Sequence, residues 1–180
     1  MKSILLGSFL AALALFFWGF FFYSVSGVPD RALKSPTTDV GPMLNEAFPE
    51  SGTYFVPGMA TSEETVALMA RGPIAMVHMH REGIAAMSPV LMIAGFLHGW
   101  GYCLLAAWLL TQICKKSGYS TRVGFVTLIG FVGAFYARIG DAIWWHKSIH
   151  WQLTELFYMT AGSLIAGLVL AKFIKSPIQS

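Results

Sequence analysis

Apolar residues along this chain fall into four long runs, and the charged residues gather in the gaps between them. The first run, ILLGSFLAALALFFWGFFFYSV from Ile4 to Val25, follows a single lysine, Lys2. The second lies within a stretch free of Asp, Glu, Lys and Arg between Glu82 and Lys115, and is most apolar near Ser88–Leu110. The third runs from Val123 to about Trp145 and the fourth from about Ile149 to Ala171. Roughly 20 mainly apolar residues cross a bilayer, so transmembrane helices are expected over 4–25, 86–112, 123–145 and 149–172. The fold class expected is an α-helical membrane protein, a four-transmembrane-helix bundle forming one membrane domain over 1–180. The first run exceeds the 7–15 apolar residues of a secretory signal core, and is expected to stay as a helix.

The 26–83 segment between the first two spans is too long for a plain connection and has its own patterning. VPDRALKSPTTDVGP has the Pro, Asp, Thr and Gly density of an irregular leader. PMLNEAF has room for two helical turns, and SGTYFVPG reads as a short strand bounded by turn residues. TSEETVALMARG carries a helix signal: Thr61 or Ser62 as N-cap, glutamates in the first turn and Gly72 at the end. PIAMVHMHR alternates as a strand does. Together these predict a small extracytoplasmic α/β cap over 26–83.

Composition strengthens the membrane reading. Apolar residues make up 56% of the 180 and charged residues 12%, where soluble domains carry about one quarter charged; mean hydropathy is +0.62. The net charge of +3 is no nucleic-acid footprint, because no basic run exceeds Lys115–Lys116. Charge does orient the chain. Placing the N-terminus, the 114–122 turn and the C-terminus on one side gives that side Lys2, Lys115, Lys116, Arg122, Lys172 and Lys175 and no carboxylate side chain. Basic loops stay cytoplasmic, so both termini are expected in the cytoplasm. Cys103 and Cys114 stand about 16 Å apart along one helix, too far for a disulfide.

Polar groups within the spans are the candidates for chemistry. The third span is charge-free only over Val123–Ala137 and must take in Arg138 and Asp141; Glu155 likewise falls inside the fourth. Arg138 and Asp141 share a helical face, and Glu155 on the return helix is expected opposite them, pinning the hairpin. His98 sits near the middle of the second span and is expected to hydrogen-bond across helices, with Tyr102 of its own helix, Tyr136 or a backbone carbonyl as the candidate partners. Four histidines lie near the outer surface: His78 and His80, on one face of a strand with Met76, and His146 and His150, spaced i, i+4. If these converged they would suit copper or zinc; otherwise they are interfacial residues beside an anchoring belt of Trp144, Trp145 and Trp151. A bis-histidine haem is disfavoured, since no second histidine lies at the depth of His98. Gly95 and Gly99 on the second span, and Ser163 and Gly167 on the fourth, are small residues one turn apart that let helices pack closely in lipid.

No Gly-x-Ser-x-Gly, phosphate loop or His-Glu-x-x-His occurs, so the chain offers no catalytic set and no cofactor is expected beyond the copper or zinc alternative. The order of features, with the SGTYFVPG and GPIAMV strands, the tryptophan pair and a last helix like GSLIAGLVLA, resembles a group of small, uncharacterised bacterial inner-membrane proteins. The resemblance implies the same four-helix plan with an outer α/β segment and carries no activity. The function expected is that of an accessory, scaffolding or assembly subunit, with the bilayer and other membrane subunits or further copies of itself as partners and no nucleic acid. A metal-binding or redox-linked protein and a small oligomeric transporter or channel are the alternatives.

Overall fold

The computed structural model describes residues 2–85, 87–113 and 117–174; Cys114, Lys115, Lys116 and Lys175 lie outside the described residues. The chain is mostly helical, with four helices long and apolar enough to cross a membrane. These are α1 (Lys2–Phe20, continued by a π-helical turn over Phe21–Val25), α5 (Pro89–Ile113), α6 (Tyr119–Trp144) and α7 (Ile149–Phe173). Two boundaries differ from expectation for local reasons. Helix α5 starts at Pro89 rather than 86, because proline suits the first helical turn, where its missing N–H is not needed. Helix α6 starts at Tyr119 rather than 123, because Arg122 is taken into the helix and buried at 5% exposure.

The helices form a bundle in which α1 packs against both α5 and α7, α7 also packs against α6, and α5 touches α6 and α7 only slightly. Where helices meet, small residues sit at the contact. Gly162 of α7 lets Leu15 and Trp18 of α1 come within 3.4 Å of where a Cβ would be, and Gly7 of α1 lies under Phe173. Gly130 of α6 lies directly against the Ser163 side chain. The buried cluster is built from Ala11 and Ala12, Cys103, Ala106, Ala107 and Leu110, Val126, Ala166 and Leu170. These belong to the half of the bundle that ends in Lys2, Arg122 and Lys172, called the basic end below. At the other end α1 and α7 are joined by aromatic rings: Trp18 stacks on Tyr158 at 6.1 Å, and Phe22 and Tyr23 lie 4.9 and 5.0 Å from the same ring.

The segment between α1 and α5 holds α2 (Val28–Ala32), α3 (Gly41–Ala47), β1 (Gly52–Val56), α4 (Glu63–Arg71) and β2 (Ala75–Met79). The strands pair antiparallel, from Gly52 opposite Met79 to Val56 opposite Ala75. Ser62 caps α4 by accepting the Thr65 N–H at 3.2 Å. Arg81 ties the end of β2 to α3 by donating to the Asn45 and Phe48 carbonyls at 2.8 and 2.9 Å. The leader expected to be irregular contains α2, a short helix with Pro29 buried in its first turn; α2 packs on α7.

Candidate functional site

The densest polar group lies at the end of the bundle opposite Lys2, where α6 turns into α7. Asp141 accepts from Lys147 Nζ at 2.8 Å and stands 3.7 Å from Arg138 NH1. All three side chains are between 24% and 30% exposed, so water screens them only in part. The turn that delivers Lys147 depends on His146, which adopts a left-handed φ of 54° just after the helix cap. A glycine usually takes that position, because a side chain there crowds the backbone. Both the Trp145 and Lys147 N–H groups return to the Asp141 carbonyl, at 3.2 and 3.4 Å.

Glu155 makes no ion pair with Arg138 among the described residues. Its Oε1 accepts from Tyr23 Oη at 2.6 Å, so it fastens α7 to the π-helical turn of α1. The physical reason is register: Glu155 falls on the α1-facing side of α7, with Tyr158, whereas Gly167 and Ser163 meet α6. The expected three-member cluster is therefore two contacts, Arg138–Asp141–Lys147 within the hairpin and Tyr23–Glu155 between α1 and α7. Gln152, one turn before Glu155, is fully buried, and neither of its amide atoms has a hydrogen-bond partner among the described residues. Arg138 Nε is buried in the same condition.

The four histidines expected near one surface are scattered. His78 sits on β2 with its Nδ1 3.0 Å from Thr53 Oγ1 on β1; His80 lies past the strand end. His146 is in the turn and His150 in the first turn of α7, so their i, i+4 spacing does not put them on one helical face. Among the described residues, no three of the His, Cys, Asp and Glu side chains come together as a metal site would require. An expected result follows: His146→Gly keeps or raises the melting temperature in detergent, by relief of about 1 kcal/mol of backbone strain. A marked loss of stability would instead mean that the imidazole holds something in place.

No family model, no curated protein and no solved structure matches the chain. The site must therefore be read from its own geometry.

His98 makes no cross-helix hydrogen bond among the described residues; it is exposed on α5. Tyr102 donates instead to Ser163 Oγ at 2.9 Å, and Tyr136 is 84% exposed on α6. The small residues divide in the same way. Ser163 and Gly167 are buried at the α6 contact, with Val123 O 3.0 Å from where a Gly167 Cβ would be. Gly95 and Gly99 meet nothing within 4 Å. Their face of α5 is uncovered among the described residues, and His98 stands beside it. Of the tryptophans, Trp144 is 75% exposed, Trp145 lies edge-on to Phe55 of β1 at 6.1 Å, and Trp151 is half-buried.

Several residues of the site escaped the sequence reading. Lys147 was visible in the hairpin but gave no sign that the turn would fold it back on Asp141. Gly130 and Ala134 are a small pair one turn apart in GFVGA, a signal of the same kind as Gly95 and Gly99. Tyr23 ends an aromatic run, and nothing local marks it as the partner of a residue 132 positions away.

Proposed function

We propose that this chain is a non-enzymatic, multi-pass protein of a bacterial inner membrane, with both termini cytoplasmic, that serves as an accessory or assembly subunit of a membrane complex. The observation that carries the reading is the uncovered face of α5, where Gly95 and Gly99 have open space above them and His98 is exposed. Helices in lipid gain nothing from hydrophobic burial against each other, and associate where small residues let backbones approach and polar groups find partners. An imidazole facing hydrocarbon is costly, and a neighbouring chain's hydrogen-bonding group relieves that cost. The segment between α1 and α5 supports the same reading from outside the spans. Met43, Met59, Leu33 and Val66 are each more than half exposed there, and apolar side chains on an extramembrane surface favour contact with another protein.

The test is the mass of the particle after gentle detergent extraction. The unaltered chain is expected to run as a complex, with itself or another chain. The Gly95→Leu, Gly99→Leu double variant is expected to reduce it to a single chain while helix content and melting stay unchanged. A lone monomer from the unaltered protein would overturn the proposal.

A further inference from the structure

The outward side of the α6–α7 seam carries a shallow, open groove of about 600 Å³. Along its middle α6 offers the small side chains Ser120, Gly124 and Thr127 to Leu164 and Leu168 of α7, and the larger Leu128 and Phe131 of α6 close the far end. Thr127 turns its hydroxyl back to the Val123 carbonyl at 2.9 Å, leaving its methyl to the groove. A Cβ on Gly124 would meet nothing within 4 Å, so the floor of the groove is open at that point. At the basic end Tyr119 reaches across, donating to the Leu168 carbonyl at 2.9 Å. Both helices are long and apolar enough to span a membrane, which makes the groove's solvent the acyl chains of the bilayer.

Charge decides which lipid. Leu164, Leu168 and Lys172 follow one another at four-residue spacing and form one stripe along α7. Lys172 is exposed one turn beyond the groove. Arg122, the buried cation nearby, is committed to protein: it donates to the Ala171 carbonyl at 3.1 Å and to the Ser117 carbonyl. None of the nine Asp and Glu residues precedes Asp30, falls between Glu82 and Asp141, or follows Glu155, so the basic end has no acidic side chain of its own to neutralise Lys172. We infer that the groove holds one acyl chain of an anionic phospholipid from the bilayer, with its headgroup phosphate paired to Lys172. This site is independent of the α5 face and stands or falls separately from it.

The experiment is mass spectrometry of the intact protein in detergent, after equilibration with equal amounts of phosphatidylglycerol and phosphatidylcholine of identical acyl chains. The unaltered protein is expected to retain the anionic lipid about fivefold over the zwitterionic one, as one lysine near a charged headgroup provides. Lys172→Gln is expected to bring that ratio to about one, and Gly124→Phe to lower retention of both lipids by filling the groove. Equal retention of the two lipids by the unaltered protein, or an undiminished preference in Lys172→Gln, would overturn the inference. So would Gly124→Phe that leaves lipid retention intact but shrinks the particle mass, because the groove would then be a seat for a second polypeptide.

Discussion

Leucine in place of Gly167 is expected to force α6 and α7 apart and to lower stability by about 3 kcal/mol, the upper range for overpacking a close contact. The groups a Cβ would meet at this position are the Val123 carbonyl oxygen at 3.0 Å, Val126 Cβ at 3.3 Å and Val123 Cα at 3.4 Å. Two of the three are backbone, so no rotamer change makes room. The consequence spreads, because the same helix pair carries the Ser163–Tyr102 bond to α5 and the Arg122–Ala171 bond at the basic end. Gly124 supplies the control. It lies on the same helix pair, yet an added side chain finds open space, so Gly124→Leu is expected to change stability by no more than about 0.5 kcal/mol. Denaturant unfolding in mixed micelles measures both. Equal losses for the two variants would mean that the α6–α7 contact is not seated on Gly167.

Asp141→Asn is expected to cost about 2 kcal/mol. Exposed ion pairs contribute up to about 1 kcal/mol, and breaking a fully buried one costs roughly 3–5; at 24% exposure Asp141 lies between these limits. The loss comes less from the bonds themselves than from leaving two cations, Arg138 and Lys147, beside a neutral amide. Removing one of those cations should therefore recover part of it. Lys147→Met in the Asp141→Asn background is expected to be more stable than Asp141→Asn alone, and the departure from additivity measures the pair. A fully additive double variant, or Asp141→Asn with unchanged melting, would reduce the cluster to a surface contact that the hairpin does not need.

Much of the helical plan was legible because it depends on properties summed over many residues. An apolar run of some twenty residues predicts a span whatever its neighbours do, and α1, α5, α6 and α7 appear where the four runs lie. Local signals were legible too: Ser62 before Glu63 and Glu64 marks the start of α4, and Gly72 its end. What could not be read was which residues face each other. Gly95–Gly99 and Gly130–Ala134 present the same pattern, yet Gly130 lies against Ser163 and Gly95 lies against nothing. The difference is set by which helices become neighbours, and that is a property of the whole bundle. Glu155 shows the same limit. Its sequence neighbours point to the α6 hairpin, but the turn at His146 and the register of α7 aim it at Tyr23. Arg122, expected in the basic 114–122 turn, is taken into α6, where the Ala171 carbonyl of α7 and the Ser117 carbonyl receive it.

The contacts of α1 also have a consequence for how the protein is made. Its partners on α7 lie far along the chain: Trp18 donates to the Tyr158 carbonyl at 3.1 Å and Tyr23 to Glu155. A ribosome adding about 5–20 residues per second needs on the order of ten seconds to synthesise the intervening stretch. For that interval α1 must reside in the bilayer without α7, with α5 as the one final partner made before it. Its composition suits the wait, since it is the most apolar of the four spans and carries no charge beyond Lys2. Helices α6 and α7 follow each other directly, and Arg138, Asp141 and Lys147 can neutralise one another within that hairpin as soon as its turn emerges. The early helix is thus built to wait for α7, and the late pair to enter together.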